Sequence, residues 1–357
     1  MGLKLLHSAD WHLDAPFSGL GREVRQQLNR TQKTIPDKIA ELCRREGCDL
    51  VLLAGDIFDR TPSRETLDLV KTALARCAAP VFISPGNHDF CGPGSPWLEE
   101  VWPDNVHVFT GGLESAVIED LNCRVWGAAF QSMDCPSLLA DFQAQCREPY
   151  AVAVLHGDPS QTNSPYNPVT APQVRDSGLD YLALGHIHRA GSFRAGSTLC
   201  GWPGCPMGRG WDETGDKGVY LVDLEPDAAR TTFVSLELPR FLEETADIAG
   251  DAKAALEALL PPVESRDFFR VTLTGQGYGD IPALLAAFPH IPNLELLDRT
   301  EAPLDVWGTG DSDTLEGVFF RLLREQLSSA SPEKARQIQL AAELSRRILE
   351  GREVSLP

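Results

Sequence analysis

Apolar residues in the first half of the chain come in short runs, separated by longer stretches with helical spacing. The first run, residues 3–7, ends in Ser8-Ala9-Asp10-Trp11-His12. Ile39, Leu42 and Cys43 then recur at i, i+3, i+4, which predicts an amphipathic helix, with Pro36 in its first turn and Gly47 as its stop. Residues 50–53 form a second apolar run, Leu67, Val70 and Leu74 mark another helix, and residues 80–83 a third strand. Further strands are expected at 106–109, 124–128, 151–155 and 181–184, with alternating strands at 218–222 and 231–238 closing a sheet. Strand alternating with helix predicts right-handed crossovers and a largely parallel α/β sheet.

Beyond residue 239 the pattern changes. Helices at 252–260 and 281–288 and strands at 268–273 and 294–297 predict a compact α/β accessory unit. Two helices follow. Asp313 and Glu316 suggest a capping box for the first, and Leu315, Val318, Phe319, Leu322 and Leu323 form its apolar stripe. Ser331-Pro332 opens the last, with Ala341, Leu344 and Ile348 on one face. The expected domains are 1–240, catalytic; 241–310, accessory; and 311–357, helical.

Composition narrows the class. No apolar run approaches the ~20 residues of a membrane helix, and the first eight residues are too short and polar for a signal peptide, so a cytoplasmic protein with no membrane partner is expected. Nine scattered cysteines without CxxC pairing read as reduced packing thiols. A net charge of −19 argues against a broad polyanion-binding surface, so nucleic acid would need a local patch or a partner.

The strand ends carry the chemistry. They are Asp10-Trp11-His12, Gly55-Asp56, Gly86-Asn87-His88-Asp89, His156-Gly157-Asp158 and Gly185-His186-Ile187-His188. In an open α/β sheet the carboxyl ends of the strands line one crevice. The converging set is carboxylate, imidazole and amide, without thiolate, which suits Mn²⁺, Fe or Zn²⁺. Asp10/His12 and His186/His188 are i, i+2 pairs, which on extended chain point the same way and can each chelate. Five of the eight histidines lie in these motifs; His7, His107 and His290 read as structural or surface residues.

The ordered set D-x-H, GD-x-F-D, GNHD, HGD and GHIH resembles the calcineurin-like metallophosphoesterase superfamily over about residues 3–240. Within it the chain is similar to the SbcD-type DNA repair exonucleases, in their YhaO-like branch, through residues 8–17, 55–59, 185–188, 202–206 and 213–218. The resemblance implies a four-layer αββα sandwich with a small α/β capping domain and C-terminal helices. It implies two divalent metal ions, Mn²⁺ foremost, with Fe or Zn²⁺ as alternatives. Asp10, His12, Asp56 and His188 would hold one; Asp56, Asn87, His156 and His186 the other. His88 would act at the scissile phosphate, oriented by Asp89, and Asp158 would support the metal histidines. Asp59 stands where some relatives carry a histidine. The implied function is a DNA exonuclease or endonuclease in repair, working by metal-activated hydroxide attack; the alternative is a small-molecule phosphodiesterase or phosphatase on the same centre. Implied partners are DNA, an SMC-like ATPase of the SbcC type and a second copy of the chain. Candidate DNA contacts are Arg22, Arg25, Arg30, Lys33, Arg189, Arg194 and Arg209, each of which also reads as a solvated surface charge.

Overall fold

Leu50-Val51-Leu52-Leu53 shows how the sequence builds the core: all four residues are fully buried, so this strand is covered on both faces. The computed structural model describes residues 2–352 apart from 226, 227, 249, 250, 278, 279, 303, 309 and 311. Residues 311 and 353–357, the ends of the third expected domain, lie outside the described residues.

The chain divides into two units, Met1–Leu242 and Glu243–Pro357. The first begins β1 (Leu3–Ser8), α1 (Arg22–Gln32), α2 (Ile35–Glu46), β2 (Leu50–Leu53), α3 (Arg64–Ala75), β3 (Val81–Ile83), α4 (Pro96–Glu99) and β4 (Val106–Val108). It continues β5 (Glu114–Ile118), β6 (Cys123–Gly127), β7 (Tyr150–His156), α5 (Ala171–Asp176) and β8 (Tyr181–Gly185). It closes with β9 (Gly191–Ala195), β10 (Thr198–Trp202), β11 (Gly218–Glu225) and β12 (Ala228–Ser235).

These strands form two six-stranded sheets, β12-β11-β1-β2-β3-β4 and β5-β6-β7-β8-β10-β9. The largely parallel sheet read from the strand–helix alternation is two mixed sheets, as the αββα sandwich implied by the resemblance requires. Each sheet has a parallel centre, but β11 and β12 add antiparallel to the first, and β5 and β9 edge the second antiparallel. Side-chain alternation assigns the layers. Leu5, Leu50, Leu52 and Phe82 from one sheet meet Val125, Val152, Val154 and Tyr181 from the other. Leu6, Val51, Leu53 and Ile83, equally buried, face the opposite way, where the crossover helices α2 and α3 bury Ile39, Leu42, Val70 and Leu74. The outer face of the second sheet packs Leu155, Leu182 and Leu184 with Leu139 and with Val174 of α5. The result is a four-layer αββα sandwich.

His7 links the two sheets. It is fully buried, Nδ1 lying 2.8 Å from Tyr181 Oη and Nε2 3.0 Å from the Leu184 carbonyl. Burial pulls its pKa from the usual 6.5 down to about 3, against a smaller opposing pull from that carbonyl. The unfolded chain therefore binds the extra proton first as pH falls. The contribution is complete above pH 6.5 and is lost between there and about 3. Unfolding free energy measured by denaturant titration should fall through that window, and His7→Gln should remove part of the slope, by at most roughly 5 kcal/mol at the acid end. Of the other two histidines outside the motifs, His107 is exposed, and His290 Nε2 lies 3.1 Å from the Pro261 carbonyl.

β13 (Phe241–Asp247) spans the boundary, and the second unit continues with α6 (Ala252–Leu259), β14 (Phe268–Thr274), α7 (Ile281–Ala287) and β15 (Leu294–Asp298), then α8 (Leu315–Ser328) and α9 (Pro332–Leu349). Its sheet runs β13-β14-β15. The capping box expected from Asp313 and Glu316 is corrected: the N-cap is Thr314, whose hydroxyl accepts from the Gly317 amide at 3.1 Å. Glu316 instead pairs with Arg346, whose guanidinium lies 4.1 Å from the Phe320 ring centroid. The buried face of α8 is Gly317 and Phe320, so the stripe from Leu315 (89% exposed) to Leu322 (52%) faces solvent. In α9 the buried residues are Ile338, Ala342 and Arg346, not Ala341, Leu344 and Ile348. Among the described residues no helix is long and apolar enough to cross a membrane.

Candidate metal centre

The carboxyl ends of β1, β2, β3, β7 and β8 meet. Asp10 and His12 lie after β1, Asp56 after β2, and Asn87 and His88 after β3; His156 ends β7 and His186 follows β8. Asp10, His12, Asp56 and His186 have φ of 54°, 46°, 50° and 91°. Side-chained residues rarely adopt that region, at roughly 1–2 kcal/mol each. Hydrogen bonds hold the turns in place. The Asp10 amide donates to the Gly55 carbonyl at 3.0 Å, and the His12 amide to the Asp56 carbonyl at 2.9 Å. Gln32 Nε2, at the end of α1, donates to the carbonyls of Trp11 and His12. The His186 amide donates to both Asp10 oxygens, at 2.9 and 3.2 Å. Gly55 has φ +83°, and a Cβ there would stand 2.6 Å from His156 Nδ1 and 2.8 Å from the Gly86 nitrogen.

Three imidazoles have Nδ1 committed to an acceptor. His12 Nδ1 lies 3.1 Å from Asp59 Oδ1, His188 Nδ1 2.6 Å from Glu213 Oε1, and His156 Nδ1 2.9 Å from the Ala54 carbonyl. Arg209 braces both carboxylates, 3.2 Å from Asp59 and 2.7 Å from Glu213. With protons at Nδ1, the Nε2 lone pairs face inward. His12 Nε2 is 3.1 Å from His188 Nε2 and 3.6 Å from Asp56 Oδ2. His156 Nε2 is 3.4 Å from Asp56 Oδ2 and 3.0 Å from Asn87 Oδ1. Acceptors thus face acceptors in a buried space, an arrangement that a cation satisfies.

The titration shifts agree. Burial lowers the His12 pKa despite Asp59 and Asp56. Burial first, then His156, pulls His186 to about 4, so its imidazole is neutral at pH 7, the form a metal requires. For His188 burial opposes charging, but the Glu213 bond together with the charges of Asp10 and Glu213 outweighs it and raises the pKa. A proton on His188 can bridge its contact with His12; a divalent cation would displace it. Burial also opposes ionisation of Asp56, yet His156, His12 and His88 together hold its pKa below the usual carboxylate value.

Among the described residues, ligand atoms lie within 4.8 Å of one another in the groups Asp10–His12–His188, Asp10–Asp56–His156 and His12–Asp56–His88. Carboxylate and imidazole without thiolate suit hard-to-borderline divalent cations, so these residues can hold them. A further group, His188–Cys205–Glu213, lies behind His188, where Arg209 already occupies Glu213.

Three expectations change. The i, i+2 pairs converge through left-handed turns, not extended chain. His186 and His188 also separate: the His186 ring stands edge-on 5.2 Å from that of His156, while His188 meets His12. Asp89 does not orient His88. Its carboxylate accepts from the amides of Gly86, Ile57 and Phe58, tying two loops together, and burial plus the Asp56 charge push its pKa up to about 7. His88 is exposed. Its Nδ1 is 3.2 Å from the Asp59 carbonyl, and its amide donates to Asp56 Oδ1 at 2.9 Å.

Support for the histidines comes from Asp59 and Glu213. Asp158 instead accepts from the Ser160 amide and hydroxyl. Among the candidate DNA contacts, Lys33 pairs with Glu65, Arg194 bonds the carbonyls of Ser197 and Ala229, and Arg209 is committed as above. Arg22, Arg25, Arg30 and Arg189 remain at the surface.

Residues 3–190 match the family described as calcineurin-like phosphoesterases. The metallophosphoesterase YhaO of Bacillus subtilis is 33% identical over 241 residues, covering 62% of this chain and 57% of that protein's length. The SbcD component of the nuclease SbcCD from Staphylococcus epidermidis is 22% identical, covering 94% of this chain and 98% of that one. Among solved structures, a dimetal phosphatase from Danio rerio superposes with a TM-score of 0.40 at 13% identity, covering 65% of this chain and 99% of that one.

Proposed function

The chain belongs to the calcineurin-like phosphoesterase family, and from that premise we propose that it is a two-metal phosphodiesterase whose substrate is DNA. The carrying observation is the inward Nε2 lone pairs of His12, His188 and His156 around Asp56, with each Nδ1 proton committed elsewhere. In this reading Asp10, His12, Asp56 and His188 hold one cation, and Asp56, Asn87, His156 and His186 the other, with Mn²⁺ the working metal.

Bound divalent cations supply a nucleophile at neutral pH and charge neutralisation for the phosphate. The remaining work falls to side chains. Asp56 faces both ligand sets. Asp59 and Glu213 hold the tautomers of His12 and His188, and Arg209 fixes those carboxylates. His88, exposed and anchored by Nδ1 to the Asp59 carbonyl, keeps Nε2 for the substrate, where it delivers a proton to the departing ester oxygen. Glu213→Gln should weaken metal affinity about 10- to 100-fold in calorimetric titration; unchanged affinity would remove Glu213 from this role.

DNA is favoured by likeness to a nuclease component along nearly the whole chain. The surface residues Arg22, Arg25 and Arg30 support it, on the helix whose last residue, Gln32, bonds the first metal loop. The test is Mn²⁺-loaded protein with labelled duplex and single-stranded DNA beside bis(p-nitrophenyl) phosphate. Release of nucleotides is expected. Turnover of the small diester without DNA cleavage would favour the small-molecule phosphodiesterase reading, which the net charge of −19 supports. The exposed α8 stripe supports docking of an SMC-like ATPase of the SbcC type. Removing residues 311–357 should abolish partner pull-down while the first unit stays folded; aggregation of that unit would instead mean the stripe packs internally.

A further inference from the structure

A cavity beside the metal centre shares His88 with it. It measures about 120 Å³, and Phe58, Pro62, Phe90 and Pro96 line it together with the polar Arg60, Thr61 and Ser95. That is room for one flat ring, less than the roughly 300–1,000 Å³ of a drug-sized ligand's site. The wall is braced. Phe58 is fully buried with its ring 5.2 Å from Trp97, which stacks on Trp102 at 4.8 Å. The Phe90 ring lies over Gly92, where a Cβ would come within 2.7 Å of it. On either side of Phe90 the backbone is pinned: Asp89 clamps Gly86, and the Cys91 amide donates to the Phe130 carbonyl at 2.8 Å. Arg60 is exposed, and among the described residues it has no hydrogen bond or ion pair.

A slot of mixed polarity with the half-buried Phe90 ring at its wall accepts a flat ring by stacking, and an unpaired guanidinium beside it suits a phosphate. The slot opens at His88, where the ester oxygen departs in the function proposed above, so its occupant is the group attached to that oxygen. We infer that the cavity receives the base of one nucleoside of the substrate, and that Arg60 meets a neighbouring phosphate of the same strand. This rests on the phosphodiesterase reading of the metal centre and adds a substrate class to it. A base seated there is unstacked from its neighbours, so single strands and frayed ends are the preferred substrates.

The test is calorimetric binding to the Mn²⁺-loaded full chain with two probes, methyl phosphate and the 5′-phosphorylated dinucleotide of deoxyadenosine. The dinucleotide should bind at least about tenfold tighter, the scale of one base stacked on an aromatic ring. Phe90→Ala should bring the ratio of the two affinities towards one. Arg60→Ala should lower it at least about threefold, as expected for one charge-assisted contact. Arg60 is exposed, so its replacement stays readable if Phe90→Ala fails to fold. A wild-type ratio near one overturns the subsite alone. So does a ratio that Arg60→Ala and every folded Phe90 variant leave unchanged. If neither probe binds, the phosphoester centre fails and the subsite with it.

Discussion

Asp56→Asn is expected to release both cations together and to cut phosphodiester turnover about a thousandfold, equivalent to roughly 4 kcal/mol at 1.36 kcal/mol per tenfold. One carboxylate oxygen, Oδ2, lies 3.6 Å from His12 Nε2 and 3.4 Å from His156 Nε2, so a single atom faces both ligand sets. The other, Oδ1, accepts the His88 amide. Asparagine keeps the shape and can keep that hydrogen bond. It removes the charge and can turn an amide N–H towards the ligand space. The apo fold should therefore survive, which circular dichroism would verify. Two cations per chain with normal turnover in this variant would place the bridge elsewhere.

His88→Ala is expected to do the converse: both cations stay and kcat falls about 10²- to 10³-fold, the usual scale for a lost general acid. The imidazole is exposed, its Nδ1 lies near a backbone carbonyl, and the amide bond to Asp56 does not need the side chain. Because His88 also comes within ligand distance of His12 and Asp56, the metal count decides its role. Loss of a cation in His88→Ala would make it a ligand. Retention with slow turnover makes it the proton donor.

The centre of the fold and the gathering of the candidate residues at the strand ends were legible because both depend on short-range pattern. A buried parallel strand reads as an apolar run, and candidate ligands at its carboxyl end follow within a few residues. That is why residues 50–56 and 181–188 announced themselves. The sheet edges were harder. Gly191–Ala195 has neither an apolar run nor a β-branched residue, and it is a strand only because β10 pairs with it. The supporting groups were harder still. Glu213 lies 25 positions beyond the histidine it holds, and a lone carboxylate on a loop carries no periodicity. Asp59 stood inside a recognised motif, but its task depends on where His12 turns. The left-handed turns at Asp10, His12, Asp56 and His186 carry only a weak residue signature, since Asp and His enter that region more often than other side-chained residues but still rarely. They are stabilised by long-range bonds such as His186 to Asp10. At α8 the apolar stripe was visible, but its direction was set by Phe320 and Arg346, which pack together on the other side.

The most direct test of the central claim is the metal content of the wild-type chain, loaded with Mn²⁺, freed of excess by gel filtration and counted by plasma emission spectroscopy. Two cations per chain, both lost in Asp56→Asn, is the predicted result. One cation or none in the wild type, or two retained in Asp56→Asn, would contradict it.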